Sequence, residues 1–222
     1  MDLPAFEHIQ LDLTDAILTI TLDRPERLNA INHALHQSIA HTLDFACDCE
    51  GARVVVLTGA GRAFSAGGDM SAISATAADF ARESEYGRRI VQRLVDCEKP
   101  VICRLNGDAI GLGASLALLS DIVVADKAAR IGDPHVRMGL VTFAVDAGEL
   151  DARTDAIARK LAAGAPLAIK WTKRAINTAI ATALPAAFEM SLGLEGVTML
   201  SEDHAEAKAA FFEKRKPVFR GK

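Results

Sequence analysis

The sequence predicts an α/β fold in which buried parallel strands alternate with helices, followed by a helical C-terminal region. Two observations carry this reading. Residues 54–57, 101–105 and 122–125 are short, continuous apolar runs rich in β-branched residues, the pattern of strands covered on both faces. The stretches between them have helical periodicity, so strand, helix, strand, helix, strand repeats as in right-handed βαβ crossovers.

Taken in order, Leu18, Ile20 and Leu22 alternate with Thr19 and Thr21, a half-buried strand that Asp23-Arg24-Pro25 ends. Leu35, Ile39, Leu43 and Ala46 recur at helical spacing over residues 33–50, and Gly51 stops that helix. A polar, glycine-containing loop spans residues 58–68, and a helix covers about residues 77–95. Pro100 introduces the second buried strand, and the loop at 106–113 opens an apolar helix that ends near Ser120. Beyond it, an amphipathic helix over 151–163 stops at Gly164, and Pro166 starts a helix running through Trp171 and Ile180. A third helix is expected to begin near Pro185, and Ser201 reads as an N-cap with Glu202 and Asp203 in the first turn.

The chain has 222 residues, half of them hydrophobic, enough for a sizeable core. Its 25 basic and 29 acidic residues leave a net charge of −4, which argues against nucleic acid as a partner. No apolar run is long enough to span a bilayer, and Met1-Asp2-Leu3-Pro4 has no signal-peptide character, so a cytoplasmic protein is expected. Cys47, Cys49, Cys97 and Cys103 form no C-x-x-C and no zinc-ligand spacing, and are expected to be reduced thiols in or near the core.

Two segments carry the chemistry. Ala63-Phe64-Ser65-Ala66-Gly67-Gly68-Asp69-Met70 follows a buried strand, and its glycines let the backbone turn sharply with N–H groups toward an anion. A plain surface turn is the competing reading. Asn106-Gly107-Asp108-Ala109-Ile110-Gly111-Leu112-Gly113-Ala114-Ser115 also follows a strand and opens a helix, whose first N–H groups lack internal partners and sit at the positive end of the dipole. Such donors stabilise an oxyanion developing on a thioester carbonyl. The alternatives are a dinucleotide loop, whose third glycine is replaced by Leu116, a nucleophile elbow that falls one residue short, and close helix–strand packing.

Together these segments, with Lys99-Pro100-Val101-Ile102 between them, resemble the enoyl-CoA hydratase/isomerase (crotonase) family. Leu22-Asp23-Arg24-Pro25-Glu26-Arg27-Leu28-Asn29-Ala30 is similar to that family's early coenzyme A segment, Val54-Val55-Val56-Leu57-Thr58-Gly59 to the strand before its first oxyanion loop, and Ala165-Pro166-Leu167-Ala168-Ile169-Lys170 to its late helix. The basic stretch at 211–221 is similar to its C-terminus. The resemblance implies a crotonase-like spiral of ββα units over residues 1–141, with a mainly helical, trimerising region over 142–222. It implies a homotrimer or hexamer, and an acyl-CoA thioester as substrate with coenzyme A as part of it rather than a permanently bound cofactor. It implies oxyanion donors at Gly68 and Leu112. Coenzyme A contacts would come from Arg27, Leu28, Ala30, Ala66, Gly67, Asp69, Met70, Gly111, Gly113 and Pro134, with Lys214 or Arg215 of a neighbouring subunit at the phosphates.

The pattern breaks in two places. Where hydratases of this family carry two glutamates, this chain has Ser115 and His135. Serine needs an activating partner to act as a base, whereas histidine titrates near neutral pH. Asp133 is placed to orient the imidazole or to shape the turn before Pro134. His8, His33, His36, His41 and His204 are expected on strand or helix surfaces. After Met138-Gly139-Leu140-Val141 a few dozen family residues are missing, and Thr142-Phe143-Ala144-Val145-Asp146 resembles the strand beyond them. The leading reading is therefore a lyase or isomerase of this family, with His135 and Ser115 at the catalytic positions. A non-catalytic acyl-CoA-binding relative and a serine hydrolase using Ser115 are the alternatives.

Overall fold

The computed structural model describes residues 2–72, 77–132 and 143–220. Strands β1 (Ile9–Thr14) and β2 (Ile17–Leu22) form an antiparallel hairpin. A 3-10 turn at Pro25–Arg27 leads to helix α1 (His33–Asp48). The chain continues through β3 (Val54–Gly59), β4 (Ala63–Ser65), α2 (Ala77–Asp96), β5 (Val101–Leu105), β6 (Asp108–Ile110), α3 (Leu112–Leu118), β7 (Ile122–Asp126) and β8 (Ile131–Gly132). The remaining elements are β9 (Phe143–Val145), α4 (Leu150–Ala162), α5 (Pro166–Met199) and α6 (Glu202–Glu213).

Two sheets organise these elements. The larger runs β1-β2-β3-β5-β7-β9, parallel from β2 onward, and the smaller runs β4-β6-β8, also parallel. Each of the pairs β3/β4, β5/β6 and β7/β8 sends its first strand to the large sheet and its second to the small one. That is the spiral of ββα turns. Alternation along the large sheet divides its burial between two faces. Val55, Leu57, Val101, Cys103, Leu105 and Val123 pack inward against Leu35, Ile39, Leu43, Ile90 and Leu94 of α1 and α2. Val54, Val56, Ile102 and Val124 face the other way, under Leu150, Ala158 and Ala162 of α4. Both faces of β3 are thus covered, as its unbroken apolar run predicts.

Local signals account for the helix ends. Asn32 caps α1 by accepting from the Leu35 N–H at 2.9 Å, and Ser201 caps α6 by accepting from the His204 N–H at 3.0 Å. At the other end of α1, the Lys99 ammonium donates to the carbonyls of Ala46, Cys47 and Cys49, each at 2.8 Å. The carbonyl of Lys99 in turn accepts from the buried Lys173 Nζ, which also meets Asp121 at 2.7 Å. Asp121 accepts from the Val101 N–H as well, so Lys173 ties α5 to the edges of β5 and β7.

Three expectations need correcting. No separate helix starts at Pro185, because α5 runs unbroken from Pro166 to Met199. Proline removes one helical hydrogen bond, and on this solvent-exposed stretch water can take the freed carbonyl. His36 is buried in the α1–α2 contact rather than on a surface, with its Nδ1 on the Glu83 carboxylate that also holds His33 at 2.5 Å. The glycine-containing loops also include short strands, β4 and β6, of only three residues each, too brief to show a period. Among the described residues, no helix is long and apolar enough to cross a membrane.

Replacing Lys173 with alanine strands a carboxylate and a carbonyl at the α5–sheet contact. Urea unfolding of K173A should show a loss of about 2–4 kcal/mol relative to the parent chain.

Candidate functional site

The small sheet brings the two glycine-containing segments side by side. Ser65 of β4 lies opposite Ala109 of β6, and beyond that register the two turns abut. Gly67 has φ +83°, and a Cβ there would sit 2.7 Å from the Ile110 carbonyl oxygen. A Cβ on Gly113 would sit 2.7 Å from the Ser65 Cβ, and one on Gly107 only 2.1 Å from the Arg62 carbonyl oxygen. At these positions backbone approaches backbone so closely that any side chain would force the turns apart.

Hydrogen bonds decide which N–H groups remain available. Ala66 donates to the Leu28 carbonyl at 2.9 Å, and Gly67 donates to the Ser65 Oγ at 3.2 Å. In the bridge between Ile31 and Gly68, Ile31 donates to the Gly67 carbonyl and Asp69 donates to the Ile31 carbonyl. The Gly68 N–H therefore points to the opposite side of its strand. Gly68 itself is exposed, and a Cβ built on it meets no atom within 4 Å. Leu112 is the first residue of α3, where N–H groups have no partner inside the helix.

The first turn is held by side chains buried beneath it. Asn29, fully buried and left-handed at φ +53°, donates through Nδ2 to the carbonyls of Ala60 and Ala63, both at 2.9 Å. Its Oδ1 accepts from the Arg24 N–H at 2.8 Å, and its carbonyl accepts from the buried Ser65 hydroxyl at 2.8 Å. Arg24 donates to the Ala30 carbonyl at 2.6 Å and pairs with Asp69 at 3.2 Å, both side chains being nearly buried. Asp69 also accepts from the N–H and hydroxyl of Ser71. Those Ser71 hydrogen bonds, aided by Arg24, hold the Asp69 carboxyl below the usual range. Asn106 plays a similar part below the second turn, accepting from Gly59 N–H and donating to the carbonyls of Gly61 and Ala63.

The other expected residues are distributed as follows. Arg27 is exposed at the end of the 3-10 turn, and Leu28 follows it in the left-handed region. Met70 is half-buried beyond Asp69, while Gly111 precedes Leu112 at φ +54°. Ser115 lies on α3, its hydroxyl turned back to the Gly111 carbonyl at 3.4 Å. Lys214 is exposed in the αL cap of α6, and Arg215 is paired with Glu206 and Glu213 of its own chain. Pro134, His135 and Asp133 lie outside the described residues. Sequence reasoning gave no role to Arg24, Asn29, Ser65 or Asn106. Arg24 and Asn29 stand inside the early motif and Asn106 before Gly107, but the partners that tie them to the turns, Asp69 for Arg24 and the Ala63 carbonyl for both asparagines, are distant in sequence.

Comparison with known proteins covers the segments that build this geometry. The enoyl-CoA hydratase/isomerase family model matches residues 12–148 and 136–222. The chain belongs to the enoyl-CoA hydratase/isomerase family. It is 30% identical to a probable enoyl-CoA hydratase of Rhodobacter capsulatus, over 98% of this chain and all of the relative. It is also 30% identical to the 1,2-epoxyphenylacetyl-CoA isomerase of Escherichia coli, over 97% of this chain and 99% of the relative. A crystal structure of an enoyl-CoA hydratase/isomerase from Mycobacterium paratuberculosis superimposes with a TM-score of 0.83 at 32% identity, covering 91% of this chain and 96% of that one. The alignment with the Rhodobacter protein extends over 259 residues, more than this chain contains, so that relative has a few dozen positions without a counterpart here. Residues 136–148 are matched by both pieces of the family model, which locates the junction.

Two measurements follow. Asn29→Ala removes three hydrogen bonds beneath the first turn and should cost about 2–4 kcal/mol in chemical denaturation. Asp69→Asn should destabilise the chain at pH 7 by about 1–2 kcal/mol. Because the folded-state pKa of Asp69 is lowered, its contribution is present above the ordinary value of about 4 and is lost as pH falls through the lowered one. The unfolding curves of parent and variant should therefore converge in acid.

Proposed function

We propose that the chain is an enzyme acting on an acyl-CoA thioester, with the N–H groups of Gly68 and Leu112 as the oxyanion hole. The observation that supports this most is the pair of abutting turns in which the Ala66, Gly67 and Asp69 N–H groups are already bonded while Gly68 is exposed. A thioester oxygen gains negative charge when the adjacent carbon is deprotonated or attacked. Two fixed donors at that point stabilise the charge without reorganising, which is worth about 10²–10³ in kcat for a single donor. The names of the relatives, a hydratase and an isomerase of CoA thioesters, favour enolate chemistry of that kind.

Coenzyme A would lie along the first turn. The Ala66 N–H is committed to Leu28, which leaves the Ala66 carbonyl for the adenine edge, with Gly67, Met70, Leu28 and Ala30 beside it. Arg27 is exposed and available for the phosphates, whereas Asp69 is engaged by Arg24 and Ser71 and shapes the turn. Gly111 and Gly113 let α3 begin against the first turn, and Pro134 is taken as a substrate contact from the family resemblance alone. His135 is the acid/base in this reading. Ser115 is a polar neighbour of the thioester, since its hydroxyl is turned to Gly111 and no base accompanies it among the described residues. Leu167, Trp171, Met190, Leu194, Phe211 and Phe212 are exposed on α5 and α6. An apolar surface of that extent suits assembly as a homotrimer or hexamer, which would bring Lys214 near a neighbour's coenzyme A phosphates.

A pair of variants at one position tests the oxyanion hole. Gly68→Pro deletes the N–H and should lower turnover of an enoyl-CoA by about 10²-fold or more. Gly68→Ala keeps the N–H and places its Cβ in open space, so it should retain most activity. Equal turnover in the two variants would overturn the assignment. His135→Ala should cut turnover by about 10²–10⁴-fold while acyl-CoA affinity by calorimetry stays nearly constant. A parent protein that binds acyl-CoA but turns over no enoyl-CoA would instead favour a binding relative.

A further inference from the structure

Away from the glycine turns, the ends of α1 and α2 bring two thiols together. Cys47 is in the last turn of α1 and Cys97 directly follows α2. Both converge on one carbonyl: the Cys47 Sγ donates to Arg93 O at 3.6 Å, and the Cys97 N–H donates to the same oxygen at 2.9 Å. The two thiols are near neighbours, each perturbing the protonation of the other. Cys97 is buried, while Cys47 is half-buried.

Their surroundings are electropositive. The Lys99 N–H donates to the Cys97 sulfur, and the Lys173 and Lys99 ammonium groups lie near it. Both ammonium groups are fixed, Lys99 by three carbonyls and Lys173 by Asp121 and the Lys99 carbonyl. The contact with the Cys47 thiol, followed by the charge of Lys173, lowers Cys97 to about 7, while the contact with Cys97 and burial raise Cys47. One thiol is thus set up as nucleophile and its neighbour as the resolving partner. Cys103, sealed in the core and pushed up by burial, has no such setting.

We propose that Cys47 and Cys97 form a peroxide-oxidisable pair that closes to a disulfide joining α1 to α2. In the first step the Cys97 thiolate attacks one oxygen of hydrogen peroxide, the O–O bond breaks, and the departing hydroxide takes up a proton to become water. Cys97 is then a sulfenic acid. The Cys47 sulfur next attacks the Cys97 sulfur, the S–O bond breaks, and the leaving hydroxide takes the Cys47 proton as water. Two thiols are oxidised by two electrons and one peroxide is reduced to two waters. The link would tie together helices that already meet through Arg93–Asp44 and His36–Glu83.

The test is to expose the purified protein to hydrogen peroxide, alkylate the free thiols, and map the products by peptide mass spectrometry. The expected result is a fall from four free thiols to two, with a Cys47–Cys97 cross-linked peptide that dithiothreitol removes. In Cys47→Ser the cross-link should vanish and Cys97 should be captured by dimedone as sulfenic acid. A disulfide involving Cys49 or Cys103, stable oxidation of Cys97 beside an intact Cys47, or four thiols surviving peroxide would each overturn the proposal.

Discussion

The candidate site depends on backbone meeting backbone without side chains between. Where Gly67 faces Ile110, Gly113 faces Ser65 and Gly107 faces Arg62, a single Cβ would intrude to 2.7 Å or less. The three contacts set the spacing between the end of β4 and the start of α3, and hence between the Gly68 and Leu112 N–H groups. An oxyanion hole works by having its donors in place before charge develops, so an error of an ångström in that spacing removes much of its effect. The rest of the architecture can be understood as a means of keeping the spacing constant. The large sheet, sandwiched between α1 and α2 on one face and α4 on the other, is the rigid base from which the small sheet is projected.

Close approach alone would not keep the turns in place, because exposed loops with free backbone groups open readily. Asn29 and Asn106 supply what glycines lack. Each sits beneath a turn, and both donate to the carbonyl of Ala63, so the two turns share an anchor at the start of β4. Ser65 adds a subtler effect. By taking the Gly67 N–H and giving its own proton to Asn29, it satisfies the donor next to the open position. The proposed hole is delimited by which neighbouring N–H groups are occupied.

This layering explains what the sequence made legible. Periodicity shows the large sheet and its covering helices, because burial on both faces of β3 and the stripe Leu35, Ile39, Leu43, Ala46 write themselves into residue order. The glycine turns show as composition at the ends of buried strands. The small sheet does not show, since three-residue strands are too short to have a period. Nor do the Asn29 and Asn106 anchors, which donate to carbonyls more than thirty residues away. The continuous α5 was hidden by Pro185, a local rule that gives way where the freed carbonyl faces water. His36 was hidden for the opposite reason: its burial comes from α2, which a single-helix reading does not contain.

The junction after residue 141 separates two requirements of the proposed chemistry. Charge stabilisation needs the glycine turns, which belong to β4, β6 and α3 and lie wholly before the junction. Closure of the large sheet needs β9, which pairs parallel with β7 immediately after it, Val124 opposite Phe143 and Asp126 opposite Val145. A chain can therefore lose a few dozen residues between those points and still complete both the sheet and the α4 layer that covers it. What such a loss does change is the set of groups available to move protons, since it begins beside the segment that carries His135. Fold and proposed oxyanion hole are thus insulated from the junction, while the proposed reaction is not. In the proposed reading that asymmetry makes the identity of the proton carrier, rather than the hole, the choice between one family reaction and another.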